Sequence, residues 1–454
     1  MADWQLTVGM EIHVELETKT KMFCGCPNDP FGTEPNIYVC PICYGLPGAL
    51  PLINKEAVAM VTRFGQAINA EIPADTFWAR KNYFYPDLPK GYQVSQMSLP
   101  LVQGGKISID GTDYHLNHAH LEEDAGKLVH SADNTHSLVN YNRAGVPLLE
   151  IVTEPDFHSS EAAKRFCQEL QRIMRSLKIS SADMEKGQMR CEANISVSKK
   201  LEGKSEKLGT KVEVKNINSF RAVEKAINYE FERQTKALEA GETIHGETRG
   251  WDDPKGQTFA MRTKETGADY RYFPEPDLPR VKITLGAAAS HQLPDDRRKA
   301  IEALGAPSAI ATALVDKDLD ENILELDKLA PKLAKEAAHL LLEMPNFAKL
   351  SVIDQVKILE AKQQNGWTKE IFAQVIERVT AVGKTVEHIL PEFAQAEDFG
   401  AVIQEVLAAN QPAITDFKSG KEASFNFLVG QVMAATKGRA NIQTVRTELQ
   451  KALN

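Results

Sequence analysis

Residues 10–17 read MEIHVELE, with Met10, Ile12, Val14 and Leu16 on one parity and Glu11, His13, Glu15 and Glu17 on the other. Strict alternation marks a strand with one face against a core and the other toward water. Three carboxylates and an imidazole on the polar face make either a wetted surface or part of a cation site. A single strand does not decide between them.

Working outward, the same alternation recurs between Gly- and Pro-rich turns up to about residue 290. Strands are expected within KISIDGTDYHLNHAHLEED (106–124), NISVSKK (194–200) and TKVEVKNI (210–217). Asp110-Gly111, set between alternating runs, predicts a hairpin. Two stretches carry the helical period instead. One spans 159–180, with Ser159 or Ser160 as cap and Phe166, Leu170, Ile173 and Leu177 in phase. The other spans 219–241, with Phe220, Val223, Ile227 and Phe231 in phase and Gly241 as its stop. Beyond residue 290 every pattern is helical, with short breaks. The expected class is α+β: a β-rich N-terminal domain over 1–290, then an all-α region. Pro345 and Gly366 are candidate breaks within that region, which suggests modules at 291–365 and 366–454. No repeat of fixed period is visible.

A chain of 454 residues, 43% hydrophobic and 25% charged, has material for two or three domains with real cores. It contains no run of eighteen apolar residues, and its opening residues lack a basic flank followed by an apolar stretch; a cytoplasmic protein is expected. A net charge of -9 argues against coating nucleic acid by electrostatics alone. The end of the chain differs. Residues 411–454 carry Lys418, Lys421, Lys437, Arg439, Arg446 and Lys451 against Asp416, Glu422 and Glu448. That basic excess permits one defined polyanion contact, although a solvated helical face would look the same.

Cys24-x-Cys26 and Cys40-Pro-Ile-Cys43 place four of the six cysteines within twenty residues, in turn-forming sequence. Two close pairs allow four thiolates to converge on one zinc ion, with free thiols as the alternative. Four thiolates leave no open position, so such an ion would staple the fold. Cys167 and Cys191 fit as small buried residues. In HLEEDAGK (120–127), pleating sends Glu122 and Glu123 to opposite faces. In GVPLLEIVTEPD, Glu150 interrupts an apolar run, and a buried carboxylate needs a partner, either a structural cation or a site. Several loops combine Arg or Lys with Asn, Asp or Tyr: RKNYFYPDLPKGYQ (80–93), NRAGVP (142–147), KGQMRCEANIS (186–196), VEVKNINSF (212–220) and the stretch from Glu247 to Pro279. They suit a phosphate-bearing ligand but equally suit packing and surface ion pairs. No P-loop, dinucleotide fingerprint, nucleophile elbow or Ser-rich amidase loop is present.

Together VGMEIHVEL, CPICYGLPGALPLIN, RKNYFYPDLPKGYQ, HLEEDAGK, YNRAGVPLLEIVTEPD, MRCEANISV, VEVKNINSF, ETRGWD and DYRYFPEPDLP closely resemble the B-subunit family of the aspartyl/glutamyl-tRNA amidotransferases, the GatCAB complexes. The helical end, with NFLVGQVMAATKGRAN, resembles the tail shared with YqeY-like proteins. The resemblance implies a cradle-like catalytic domain. It also implies ATP-dependent phosphorylation of the side-chain carboxylate of Glu-tRNA(Gln) or Asp-tRNA(Asn), followed by amidation. Ammonia would come from a GatA-type glutaminase subunit, in a heterotrimer with a small GatC-type subunit; the missing amidase loop fits that division. The family's Mg²⁺ site carries over to His13, Glu122 and Glu150, with Glu11 direct or through water. Magnesium prefers oxygen, so His13 would bind the ion, orient a carboxylate or contact phosphate. Glu15 and Glu17 remain as solvated charges. Lys81, Arg143, Arg190 and Lys215 are candidates to meet transferring phosphoryl charge. Asn194 and Asn216 are candidates to hold substrate or nucleotide. Lys418, Lys421, Lys437 and Arg439 are candidates for tRNA phosphates. Two other readings compete: an amide ligase acting on a free small acid, and a non-catalytic zinc-containing tRNA-binding scaffold.

Overall fold

The computed structural model describes residues 4–131, 133, 135–199, 208–263, 270–285, 292–382, 385–393, 400–436, 440 and 442–453. The chain divides into two compact units, Met1–Asp295 and Asp296–Asn454. The first is built on a sheet and the second is helical, which gives the α+β class.

The first unit's sheet is organised around β1 (Trp4–Glu15). The other strands along its main path are β2 (Ala79–Asn82), β3 (Tyr92–Ser95), β4 (Thr112–Glu123), β5 (Pro147–Thr153), β6 (Met189–Lys199), β7 (Val212–Ile217), β8 (Glu247–Asp252), β9 (Gln257–Thr263) and β10 (Phe273–Pro274), and two short strands, Val102–Gln103 and Lys106–Ile109, pair with β4 off that path. The path across the sheet is β9-β8-β7-β6-β1-β5-β4-β3-β2-β10, antiparallel except between β7 and β8. The Asp110-Gly111 turn joins the strand Lys106–Ile109 to β4, and both residues have positive φ (49° and 82°), as a tight hairpin turn requires.

One face of this sheet is apolar. Met10, Ile12 and Val14 are fully buried in the same core as Leu149, Ile151, Leu121, Ala193 and Ile195. Over this core lie α1 (Lys55–Ala67), α2 (Ser160–Ser176) and α3 (Phe220–Glu239), which contribute Phe64, Phe166, Ile173, Val223 and Ile227. The hydroxyls of Ser159 and Ser219 cap α2 and α3, each accepting a 3.1 Å hydrogen bond from the third backbone N–H onward. Each large side chain buried here is worth about 1.5–3 kcal/mol, so the strand that opens the chain is held by its even-numbered residues.

The helical unit contains two cores. The first gathers Ile301, Leu314, Leu326, Leu341, Phe347, Leu359, Phe372 and Ile389; the second gathers Ile403, Phe425, Leu428, Val432, Val445 and Leu449. A boundary at residue 365 falls inside the first core, because Trp367, Phe372 and Val375 pack with Phe347 and Leu359. Gly366 ends a helix in the left-handed conformation (φ 60°) without ending the core around it. Among the described residues no helix is long and apolar enough to cross a membrane.

Candidate functional site

The opposite face of the sheet carries the polar residues. In an antiparallel pair, residues directly opposite share a face. His13 stands opposite Glu150 on β5 and Arg190 on β6, and Glu11 stands opposite Glu192. Glu150 in turn faces His120 on β4, and Leu148 faces Glu122. Pleating and register together therefore bring Glu11, His13, His120, Glu122, Glu150 and Glu192 onto one surface.

Their atoms are close. His13 Nε2 lies 3.4 Å from Glu150 Oε2 and 3.7 Å from Glu122 Oε1. Glu11, His13 and Glu150 offer ligand atoms within 4.8 Å of one another, as do His120, Glu122 and Glu150. A third group, Glu11, Glu192 and Glu213, also does so, but its carboxylates are bridged by Lys215, whose Nζ is 2.8 Å from Glu192 and 3.1 Å from Glu213. Burial works against ionising Glu150, yet His13, His120 and Lys81 together hold its carboxylate well below the usual range. Burial likewise opposes the His13 imidazolium, but Glu150, Glu122 and Glu192 raise its pKa to about 9. Glu11 is pushed up by burial and then by Glu150 and Glu192. In this arrangement the site holds more negative charge than its own cations offset. Glu122 Oε2 is buried with no hydrogen-bond partner. Hard oxygen donors, excess negative charge and an orphaned carboxylate oxygen fit a divalent cation, which would take the place of the His13 proton.

Lys81, on β2, lies with its ammonium 5.1 Å from the Tyr270 ring centroid. Burial would lower its pKa, but the charges of Glu122 and Glu150 raise it further above its ordinary value. Arg143 and Arg190 have a different setting: both converge on buried Asp124, at 3.5 and 2.6 Å. Arg143 also donates to the carbonyls of Ala125 and Gly126. Asn194 is half-buried opposite Gly9 and Glu213, on the same parity as Arg190 and Glu192. Asn216 is set apart, exposed at φ 63° on a bulge of β7 where Lys215 and Asn216 oppose the single residue Glu192. In the helical unit Lys418 and Lys421 are both exposed, and Lys421 pairs with Asp416 at 2.8 Å. Lys437 and Arg439 lie outside the described residues.

One sequence expectation changes and one residue joins the site. Glu15 is not a solvated charge: it is 5% exposed, beside Asp124, and burial followed by that neighbour raises its pKa to about 8. Alternation places it on the right face, but Asp124 just after β4, Arg143 just before β5 and Arg190 on β6 surround it at that end of the strand. Glu17 does stay exposed, accepting from the backbone N–H of Ser181 at 2.8 Å. Glu123 faces away from Glu122, pairing with Lys90 and accepting from the Val94 N–H at 3.0 Å. His120, 1% exposed, emerges as a close neighbour of the candidate carboxylates. Its signal in the sequence is its parity with Glu122, two residues on.

The four cysteines also converge. Cys43 Sγ is 3.2 Å from Cys24, 3.6 Å from Cys40 and 3.6 Å from Cys26. Thiolates around one zinc at about 2.3 Å lie roughly 3.8 Å apart, whereas a disulfide needs about 2.05 Å. All are free thiols, and the cluster is shaped to hold a metal ion such as zinc. Lys21, fully buried although its sequence neighbours give no hint of it, donates to the Tyr38 and Tyr141 carbonyls (2.8 and 3.2 Å) and lies 3.7 Å from Cys43. The hydrogen bond from Cys24, then Lys21, lower the Cys43 thiol to about 4. The Met22 N–H donates to the Gly145 carbonyl at 2.7 Å. The cysteine loop thereby holds residues 141–145, the loop that presents Arg143 to Asp124.

Comparison with known proteins matches residues 6–288 to the GatB/GatE catalytic domain and residues 328–453 to the GatB domain. The B subunits of aspartyl/glutamyl-tRNA(Asn/Gln) amidotransferases align along essentially the whole chain. That of Moorella thermoacetica is 40% identical, covering 99% of this chain and 100% of its own. Those of Carboxydothermus hydrogenoformans and Thermotoga petrophila are each 42% identical, covering 100% and 98% of this chain and 99% and 98% of their own. The acid-lined sheet face, the cysteine cluster and the full-length match lead to one conclusion: the chain belongs to the B-subunit family of the aspartyl/glutamyl-tRNA amidotransferases.

Proposed function

We propose that this chain is the phosphorylating and amidating subunit of a tRNA-dependent amidotransferase. In this reading it acts on glutamate carried by tRNA(Gln), aspartate carried by tRNA(Asn), or both. The observation that carries the reading is the convergence of Glu11, His13, Glu122 and Glu150, with Lys81 beside them, on one face of a sheet.

A carboxylate resists amidation because its charge repels the nucleophile and oxide does not leave. Here the substrate carboxylate oxygen attacks the γ-phosphorus of ATP, the bond to ADP breaks, and an acyl phosphate forms. Ammonia then attacks the acyl carbon and phosphate departs. A Mg²⁺ held by Glu11, His13, Glu122 and Glu150 would neutralise charge on the triphosphate. Lys81 would meet the γ-phosphoryl oxygens as charge develops on them. Lys215, clamped by Glu192 and Glu213, and Arg190, anchored on Asp124, would line the same face, with Arg143 orienting Asp124. Asn194 would hydrogen-bond substrate or nucleotide, and Asn216 would make an outer contact to the same ligand.

The GatA-type glutaminase and GatC-type small subunits are the expected partners, consistent with relatives that are themselves named as one subunit of a larger enzyme and with the lack of an amidase motif here. Lys418, Lys421, Lys437 and Arg439 would contact tRNA phosphates, and the cysteine cluster would hold a structural Zn²⁺. A cytoplasmic enzyme with three modules follows, with the helical region divided between its two cores.

The test is ATP turnover by the reconstituted complex with charged tRNA or with free glutamate or aspartate. Turnover should depend on the misacylated tRNA. Equal rates with the free acid would overturn the tRNA-linked substrate and favour a small-acid ligase.

A further inference from the structure

We infer that Lys21 is the counter-ion of the cysteine cluster, a positioning residue whose ammonium steadies the thiolates and ties them to the loop bearing Arg143. The inference rests on the proposed Zn²⁺ in that cluster and concerns a residue outside its four ligands.

Lys21 is 0% exposed. Its ammonium has three partners: the Tyr38 carbonyl at 2.8 Å, the Tyr141 carbonyl at 3.2 Å and Cys43 Sγ at 3.7 Å. None of them is a carboxylate. Glu123, whose Oε2 borders Gly145 as the Lys21 stem does, is engaged by Lys90. A buried ammonium is costly unless an opposite charge faces it, and carbonyl dipoles offset that cost only in part. Four thiolates around a divalent ion supply the missing charge, because the ion cancels only two of the four. The need is mutual. Excess negative charge in a partly buried loop calls for a cation, and the buried cation calls for an anion.

Lys21 also spans the cluster. Its backbone N–H donates to the Cys26 carbonyl at 3.0 Å, in the first cysteine pair, while its side chain reaches Cys43 in the second. Its own carbonyl accepts from Asn54 Nδ2 at 3.3 Å, and the next residue, Met22, donates to the Gly145 carbonyl at 2.7 Å. The backbone is fixed on both sides of the residue, so the ammonium is aimed. Outer contacts of this kind orient metal ligands and tune them. Removing the ion returns the cysteines to neutral thiols. The ammonium then faces no anion, moves to water and releases the Tyr141 carbonyl.

The test uses Co²⁺ and Zn²⁺ as probes on the full chain. Lys21→Met keeps the length of the side chain and removes its charge and its donor. With Co²⁺ bound, the sulfur-to-metal charge-transfer absorption should move to longer wavelength in Lys21→Met, because the sulfur lone pairs lose a facing cation. The ligand-field bands should keep the intensity of a tetrahedral site. Zn²⁺ affinity, measured by chelator competition, should fall about 10- to 100-fold, and Lys21→Arg should restore part of both effects. A measurement on the native chain needs no variant: amine acylation mapped by mass spectrometry should rise at least tenfold at Lys21 when Zn²⁺ is stripped. An unmoved charge-transfer band in Lys21→Met, or a Lys21 that stays protected in the stripped chain, would overturn the counter-ion. A native chain that binds neither Co²⁺ nor Zn²⁺ would overturn the metal cluster itself.

Discussion

Glu150 is the residue on which the site turns, because it belongs to both ligand groups that contain a histidine. Replacing it with Gln keeps its volume and removes the charge that His13, His120 and Lys81 face. Losing one aimed electrostatic group costs about 100- to 1,000-fold in turnover, so Glu150→Gln should lose at least that much acyl-phosphate formation. Its tRNA affinity, measured by filter binding, should be unchanged; a retained rate would return Glu150 to a structural role. Lys81→Met should lower kcat by a similar factor with little change in tRNA binding, because its ammonium lies in the field of Glu122 and Glu150 on the sheet's polar face. At this scale the sequence is partly readable. A glutamate inside an apolar run announces a buried charge, and Glu11 and His13 share parity on one strand. His120 stays hidden because only the register between β4 and β5 sets it opposite Glu150. Glu15 escapes the pattern because its burial comes from loops distant in sequence.

Two elements hold the site. The first is β1, whose even-numbered residues anchor it to the core. Ile12→Ala, at a fully buried position, should cost about 3 kcal/mol by urea unfolding, while Glu17→Ala, on the exposed end of the same parity as His13, should change stability little. The second is the cysteine loop, whose Lys21 and Met22 grip residues 141–145. Cys40→Ser should release the bound metal, detectable with a chromogenic chelator, and lower the melting temperature. It should also reduce turnover, since Arg143 loses the support that aims it at Asp124. A variant that lost its metal but kept full activity would separate the staple from the site. Both elements are legible, one from period-two alternation and the other from paired cysteines. Lys21 is not, because a lysine between turn residues ordinarily reads as solvated.

Across the whole molecule, chemistry and tRNA contact are assigned to different units. Binding of misacylated tRNA should weaken with salt, and Lys418→Ala should reduce the slope of log affinity against log salt by about 0.7–0.9, the value for one phosphate contact. Lys421→Ala should change it less, because Asp416 already partners that ammonium. An unchanged slope in both variants would remove this end of the chain from the tRNA contact. The change from mixed to purely helical patterning near residue 290 is plain in the sequence. The division inside the helical region is not: Gly366 stops a helix locally, whereas the core around Phe347 and Phe372 depends on packing between helices on either side of it. The central claim, that the acid-lined face energises an aminoacyl group on its tRNA, is tested most directly by a single turnover with γ-labelled ATP and misacylated tRNA, without any ammonia source. Label should appear on the aminoacyl carboxylate in the native complex, with none above background in Glu150→Gln. Equal labelling in the two, or label that never reaches the aminoacyl group, would contradict it.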